Sequence, residues 1–96
     1  MDNAVVIDEK DNVAVVIKSV ANGDFVNYTF EGKRTSLLAR KDVSIYHKIA
    51  IKDIQKDEFV VKYGEHIGIA LCNIEAGEHV HIHNLRGQRE DLEAKA

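Results

Sequence analysis

The apolar residues of this chain arrive in short, β-branched clusters. They read AVVI at 4–7, VAVVIKSV at 13–20, FVNYTF at 25–30, TSLLA at 35–39, KIAIKDI at 48–54, EFVVKY at 58–63, IGIALCNI at 67–74 and HVHIH at 79–83. Turn-forming residues separate them, which is the pattern of strands. No stretch before residue 84 has an apolar period of 3.6 residues, so helices are not the main element. A chain of 96 residues supports one domain. Such a domain hides only roughly 60–70% of the surface its unfolded form exposes. The expectation is therefore a mostly β, single small domain of short hairpins. Little interior is left for a deep, self-contained catalytic pocket, so an enzymatic role calls for another chain or another copy.

One pattern recurs. VANGDFV (20–26), IQKDEFV (54–60) and IEAGEHV (74–80) share an aliphatic residue, two variable residues, Gly or Asp, an acid, any residue and Val. Another aliphatic precedes each by three positions, at Ile17, Ile51 and Leu71. The physical reading is strand, tight turn at the Gly or Asp, strand. Uneven spacing between the copies argues for hairpins folded over one another, in a barrel-like or clip-like domain, and against a solenoid. EGK after Phe30 reads as a hairpin turn with Gly32 at positive φ. Gly64 in VKYGE reads as a sharp bend or a close backbone approach, and DN at 11–12 as a turn that starts a strand. The domain is expected over 1–84. Residues 85–96, charged and free of β-branched side chains, read as a tail or linker that is a short helix or disordered.

Thirteen basic residues against 16 acidic ones give a formal charge of −3 and a pI near 5.9. Such a balance, with the basic residues dispersed, excludes a nucleic-acid-binding face. A single cysteine, Cys72, excludes an internal disulfide and fits a reducing compartment. Acidic DN follows Met1 where a signal peptide would be basic, and no apolar run reaches the roughly 20 residues of a membrane helix. A cytoplasmic protein without membrane association is the expectation. P-loop, G-x-S-x-G and C-x-x-C motifs are absent, which removes phosphate cradling and covalent catalysis from consideration. Cys72, inside an apolar run, reads as a buried inert thiol.

The chemistry concentrates in HVHIHN (79–84). On a strand, His79, His81 and His83 share one face, and Val80 and Ile82 point to the core. Same-face neighbours lie roughly 6.5–7 Å apart along the strand, so two of the three imidazoles can converge on an ion and three cannot easily do so. A metal site would use His81 with His83, or His79 with His81. Further ligands would come from His47, His66, Glu65 or Glu78. The bland alternative is that a wet strand face merely carries polar residues. Locally, His47 reads as a loop histidine and Lys62 as a surface charge.

The ordered set DNVAV, HKIAI, VVKYGEHIGIA and IEAGEHVHIHN, over roughly residues 11–84, resembles the small amino-terminal domain of the altronate and galactarate dehydratase family. LRGQRED resembles the segment that follows it in some members. The resemblance implies a SAF-type, β-clip fold. It also implies dehydration of a sugar acid to a 2-keto-3-deoxy product with a divalent metal such as iron. It further implies a large catalytic dehydratase subunit as partner, because the large domain is missing here. By matching position it singles out His47, His81 and His83 as acid/base groups, with His81 and His83 also facing the metal. Lys48, Lys62 and Asn84 follow as substrate contacts, Asn84 as an orienting hydrogen-bonder. Nothing in the resemblance requires histidine at 79 or 66. Tyr46 stands where the resemblance leads one to expect glycine. A small subunit of a sulfolactate sulfo-lyase, a non-catalytic carbohydrate- or carboxylate-binding module, and a homo-oligomer that pools histidines around metals are the competing readings.

Overall fold

In a computed structural model, which describes residues 1–87, every regular element is a strand. No helix is long and apolar enough to cross a membrane among these residues. The strands are β1 (Ala4–Val5), β2 (Val13–Val16), β3 (Phe25–Phe30), β4 (Lys33–Leu38), β5 (Lys48–Ala50), β6 (Phe59–Lys62), β7 (Glu65–Ala70), β8 (His79–Val80) and β9 (Leu85–Gly87). They form a central antiparallel sheet in the order β1-β2-β5-β8, a β3-β4 hairpin and a β6-β7-β9 sheet.

The central sheet packs on both faces, which is why β2 is continuously apolar and does not alternate. Ala14, Val16 and Ile49 face one core with Ala4, Val20, Val26, Tyr28 and Val43. Val13 and Ala50 face a second core with Ile54, Val60, Ala70, Ile74 and Val80. Each fully buried Val or Ile contributes about 1.5–3 kcal/mol of transfer free energy.

The recurring turn occurs four times. Besides the three copies read from sequence, residues 43–49 (VSIYHKI) trace the same path. In each copy the fifth residue's amide bonds the second residue's carbonyl: Asp24 to Ala21, His47 to Ser44, Glu58 to Gln55 and Glu78 to Glu75, all at 2.9–3.0 Å. The fourth residue takes positive φ in every copy: Gly23 +96°, Tyr46 +70°, Asp57 +73° and Gly77 +95°. That is the requirement of a type II turn.

The copies lock in pairs through the bridges Val20↔Val43 and Ile54↔Ile74. Within each pair, the residue just before one copy caps an amide of the other. Asp42 accepts Asn22 N–H, Ser19 accepts Ile45 N–H, Asn73 accepts Lys56 N–H and Asp53 accepts Ala76 N–H.

Several elements are shorter than the apolar runs imply. The chain bends at 17–18, 51–52 and 71–72, just ahead of each read copy, so Ile17 and Leu71 are exposed. Cys72 lies in such a bend and is exposed, not buried. The bridge contacts of the paired turns need this change of direction. The run 79–83 also fails as a continuous strand. Only His79 and Val80 are paired, and Ile82 is 75% exposed instead of reaching the core.

Glu31 and Gly32 both take positive φ in the β3–β4 turn. Gly64 (φ +79°) approaches closely, since a Cβ there would stand 2.9 Å from the Asp8 carboxylate. Asp11 and Asn12 do more than start a strand. Fully buried Asp11 accepts the amides of Ile7, Asp8 and Gly64, and Asn12 clamps β6 through Phe59 O and Val61 N. Leu85–Gly87, read as the start of the tail, pair with β7. The expectation of a helical or disordered tail otherwise lies outside the described residues.

Candidate functional site

Two of the four turns deliver their strands side by side. The turn at 43–49 leads into β5 and the turn at 74–80 into β8, and these strands pair antiparallel with Lys48 opposite Val80 and Ile49 opposite His79. His47, at the end of one turn, thereby meets His79, at the start of the other strand. His47 Nδ1 and His79 Nε2 are 2.9 Å apart, one donating and the other accepting.

His81 joins them because the chain turns after Val80. Asn84, only 4% exposed, accepts the His81 amide through Oδ1 (2.9 Å) and donates Nδ2 to His79 O (2.8 Å). Its own amide bonds His81 O, and its carbonyl accepts Leu71 N–H. The asparagine therefore spans residues 79–84 as a side-chain turn, ending the strand and folding His81 back over the cluster.

The three rings stack nearly parallel. His47 and His81 centroids are 4.3 Å apart at 15°, and His47 and His79 are 5.1 Å apart at 13°. One ligand atom from each of His47, His79 and His81 lies within 4.8 Å of the others. His79 with His81, joined by His47, is one of the sets the sequence offered; the three imidazoles meet because one comes from a different turn and one from beyond the strand end, which a continuous strand would not allow. His83 is exposed and tilts 38° against His79, with centroids 5.2 Å apart. It stands outside the three-atom group, which joins His79, not His83, to His81, the second of the two pairs the strand spacing allowed. His66 lies apart, stacked on Phe59 at 4.2 Å.

The surroundings favour the neutral imidazole at His79 and at His81. Burial, then His83, His47, His81 and Lys48, push His79 down from 6.5 to about 4. His81 is lowered by burial and then by His47, Lys48 and His83. Lys48, half-buried on β5, is lowered by burial and then by Lys62, whose ammonium lies 5.4 Å from the Tyr63 ring centroid. Every group that shifts these three is a lysine or an imidazole. Lys48 and Lys62 are the cations beside the imidazoles and can receive an anion, while Asp42 and Glu78 stand on the cleft next to them.

The residues fit a divalent transition metal by donor chemistry: three borderline nitrogen ligands, of which His79 and His81 are pushed toward the neutral, ligating form, with no acid in the group. A cleft of about 520 Å³ opens beside them, lined by Lys41, Asp42, Cys72, Glu78, His79, His83 and Asn84. That is large enough for a small organic acid. His83 thus faces the cleft, Lys48 and Lys62 lie close enough to act on each other, and Asn84 lines the cleft while its side chain is spent on the loop.

The chain matches, over residues 2–88, the family model described as the altronate/galactarate dehydratase SAF domain. It is 43% identical over 83 residues to the altronate dehydratase of Escherichia coli (strain K12), covering 86% of this chain and 16% of that protein. To the altronate dehydratase of Bacillus subtilis (strain 168) it is 30% identical over 93 residues, covering 97% of this chain and 18% of the relative. With the (2R)-sulfolactate sulfo-lyase subunit alpha of Chromohalobacter salexigens it shares 40% identity over 88 residues, which is 88% of this chain and 94% of that subunit. The chain thus spans less than a fifth of the two dehydratases and nearly all of the sulfo-lyase subunit.

Proposed function

This chain belongs to the altronate/galactarate dehydratase SAF-domain family, and from that premise we propose that it is the small, non-independent part of a lyase acting on a hydroxy-carboxylate. A separate catalytic chain supplies the rest of the site. The reaction is β-elimination of water from a sugar acid of the altronate or galactarate type. The observation that carries this reading is the meeting of His47, His79 and His81 beside Lys48 on an open face. This is a group of imidazoles and cations beside a cleft that is open on one side.

His47, His79 and His81 would hold the divalent ion, iron being the family expectation, and the ion when bound supplies Lewis-acid polarisation of a substrate oxygen. Lys48 and Lys62 bind and orient the carboxylate, whose developing enolate charge needs cationic support. His83, at the cleft, protonates the departing hydroxyl, work that a positioned imidazole does near neutral pH. Asn84 holds the loop that carries the histidines. His47 and His81 double as acid/base groups where no ion engages them. A cytoplasmic location belongs to the same reading.

Elimination of sulfite from a sulfonated hydroxy acid is the second reading. It is favoured by the near-complete coverage of a subunit that is itself a separate short chain. Both readings use the same face, and assays of the reconstituted complex with the two substrate classes separate them.

The isolated chain is expected to be inactive, and to restore metal-dependent elimination when added to the catalytic chain. His83→Ala in the complex should cost on the order of 10²–10⁴ in kcat. Metal analysis of tag-free protein should show one transition ion per chain, lost on His81→Ala. A catalytic chain equally active with and without this one, or a His81→Ala and His83→Ala complex at full activity, would overturn the reading. Sugar-acid binding by the isolated chain with no effect on any lyase would instead make it a non-catalytic binding module.

A further inference from the structure

Two of the residues adjoining the histidine cluster in the chain are large, apolar and exposed. Tyr46, before His47, is 72% exposed, and Ile82, after His81, is 75% exposed. Neither makes a hydrogen bond or ring contact among the described residues, apart from the backbone bond from Tyr46 N to Val16 O.

Tyr46 is also the chain's least explicable backbone. Among the described residues, four non-glycines have positive φ: Glu31, Tyr46, Asp57 and Tyr63. Glu31 and Tyr63 each precede a glycine of positive φ in a two-residue hairpin, the turn that demands this conformation. Asp57 is a type that tolerates it. Tyr46 alone is an aromatic where the equivalent turns place Gly23, Asp57 and Gly77. A strained residue that buries nothing in its own fold points to a role outside it.

The occupant follows from two further observations. The face between Tyr46 and Ile82 sets Lys48 of β5 beside the stacked rings of His47, His79 and His81, with Asp42 and Glu78 on the open cleft next to them, a polar half-site that a second chain would complete. In relatives the matching segment is either a small part of a long polypeptide or a short subunit alpha. Exposed apolar anchors around an open, charged site are the anatomy of an interface that closes over that site.

We propose that the His47–His79–His81 face is the docking surface for the lyase's catalytic chain, with Tyr46 and Ile82 as its apolar anchors. The proposal rests on the lyase reading above and deepens it by naming the surface. The partner presents an apolar recess to each anchor. Tyr46 holds its strained backbone because the ring is used between chains.

The test places a photo-crosslinking phenylalanine at 46, at 82 and, as a control, at 31 in the β3–β4 turn of the full chain, in the cells that make it. Adducts are identified by mass spectrometry, and the captured catalytic chain is then titrated with wild type, Tyr46→Gly and Ile82→Ser. Adducts with a hydro-lyase or sulfo-lyase chain are expected from 46 and 82 and not from 31. Each substitution should weaken association by about tenfold or more, as for interface anchors, while Tyr46→Gly raises Tm by relieving strain. Association of both variants at wild-type strength, equal adducts from 31, or capture only of a second copy overturns the docking face and leaves the lyase reading standing. Absence of any lyase chain from wild-type complexes overturns both.

Discussion

The turns at 20–26 and 54–60 and the turns at 43–49 and 74–80 share one backbone and do different work. In the first two, the fifth residue is an acid that caps its own turn: Asp24 accepts Ala21 N–H at 2.9 Å and Glu58 accepts Gln55 N–H at 2.5 Å. The sixth residue is Phe25 or Phe59. In the other two, the fifth and sixth residues are His47 with Lys48 and Glu78 with His79. The His47 ring bonds His79, Glu78 lines the cleft, and one of these turns carries Tyr46 at positive φ. The frame is held by bridges and reciprocal caps common to all four copies. The site turns can therefore surrender their own caps and spend those positions on chemistry.

The comparison breaks most easily at the frame. Ile54→Ala, at a bridge residue only 2% exposed, should cost about 2–5 kcal/mol in denaturant unfolding, whereas His81→Ala should leave the midpoint nearly unmoved. Equal losses would mean that frame and site are not separable. Asn84→Ala comes next, at about 1–3 kcal/mol, because His81 N–H and His79 O lose their partner. Histidine side-chain NMR should then show the His47–His79 contact dispersed. An intact contact in that variant would remove the asparagine from the site's construction.

A sharper test exchanges the two kinds of turn. Glu58→Ala should lose about 0.5–1.5 kcal/mol, and His47→Asp should recover a similar amount by capping Ser44 N–H as Asp24 caps Ala21. A lower Tm for His47→Asp would show that the copies are not equivalent. The smallest effect, discounted because the imidazole is partly exposed, is that of acid. With His79 near 4 in the fold and 6.5 when unfolded, the unfolded chain binds more protons between those values. Stability is full above about pH 6.5 and falls as pH drops toward 4, and His79→Gln should flatten that part of the Tm–pH curve. An unchanged slope would return His79 to an ordinary environment.

Much of this was legible in the residues. Strand content, three of the four turns, the Glu31–Gly32 hairpin and the closeness of Gly64 all follow from local chemistry. The fourth turn was hidden because Tyr46, His47 and Ile49 replace the Gly or Asp, the acid and the Val by which the others are recognised. Only the spacing from Val43 to Ile49 retains the pattern, so His47 looked like an ordinary loop residue. The histidine row misled in a different way. Alternation correctly puts Val80 in the core, but it assumes the strand continues, and Asn84 closes a turn that sends Ile82 to solvent and separates His83 from the group. The apolar runs also concealed bends at 17–18, 51–52 and 71–72, since an aliphatic residue at a bend and one in a strand look alike in sequence. His79, which nothing in the resemblance required, entered the site through cross-strand pairing, a non-local relation that periodicity does not carry.

The strand pairing also limits where evolution can put such a site. Each turn launches a strand, and among these four launched strands only β5 and β8 pair with one another; β3 pairs with β4 and β6 with β7. Histidines grafted onto the fifth and sixth positions of the 20–26 and 54–60 turns would not meet, however faithfully the local sequence were copied. Residue identities at the working turns are free to drift, toward another ligand set or another acid–base pair. The address of the site is inherited from the connectivity and cannot be changed by substitution.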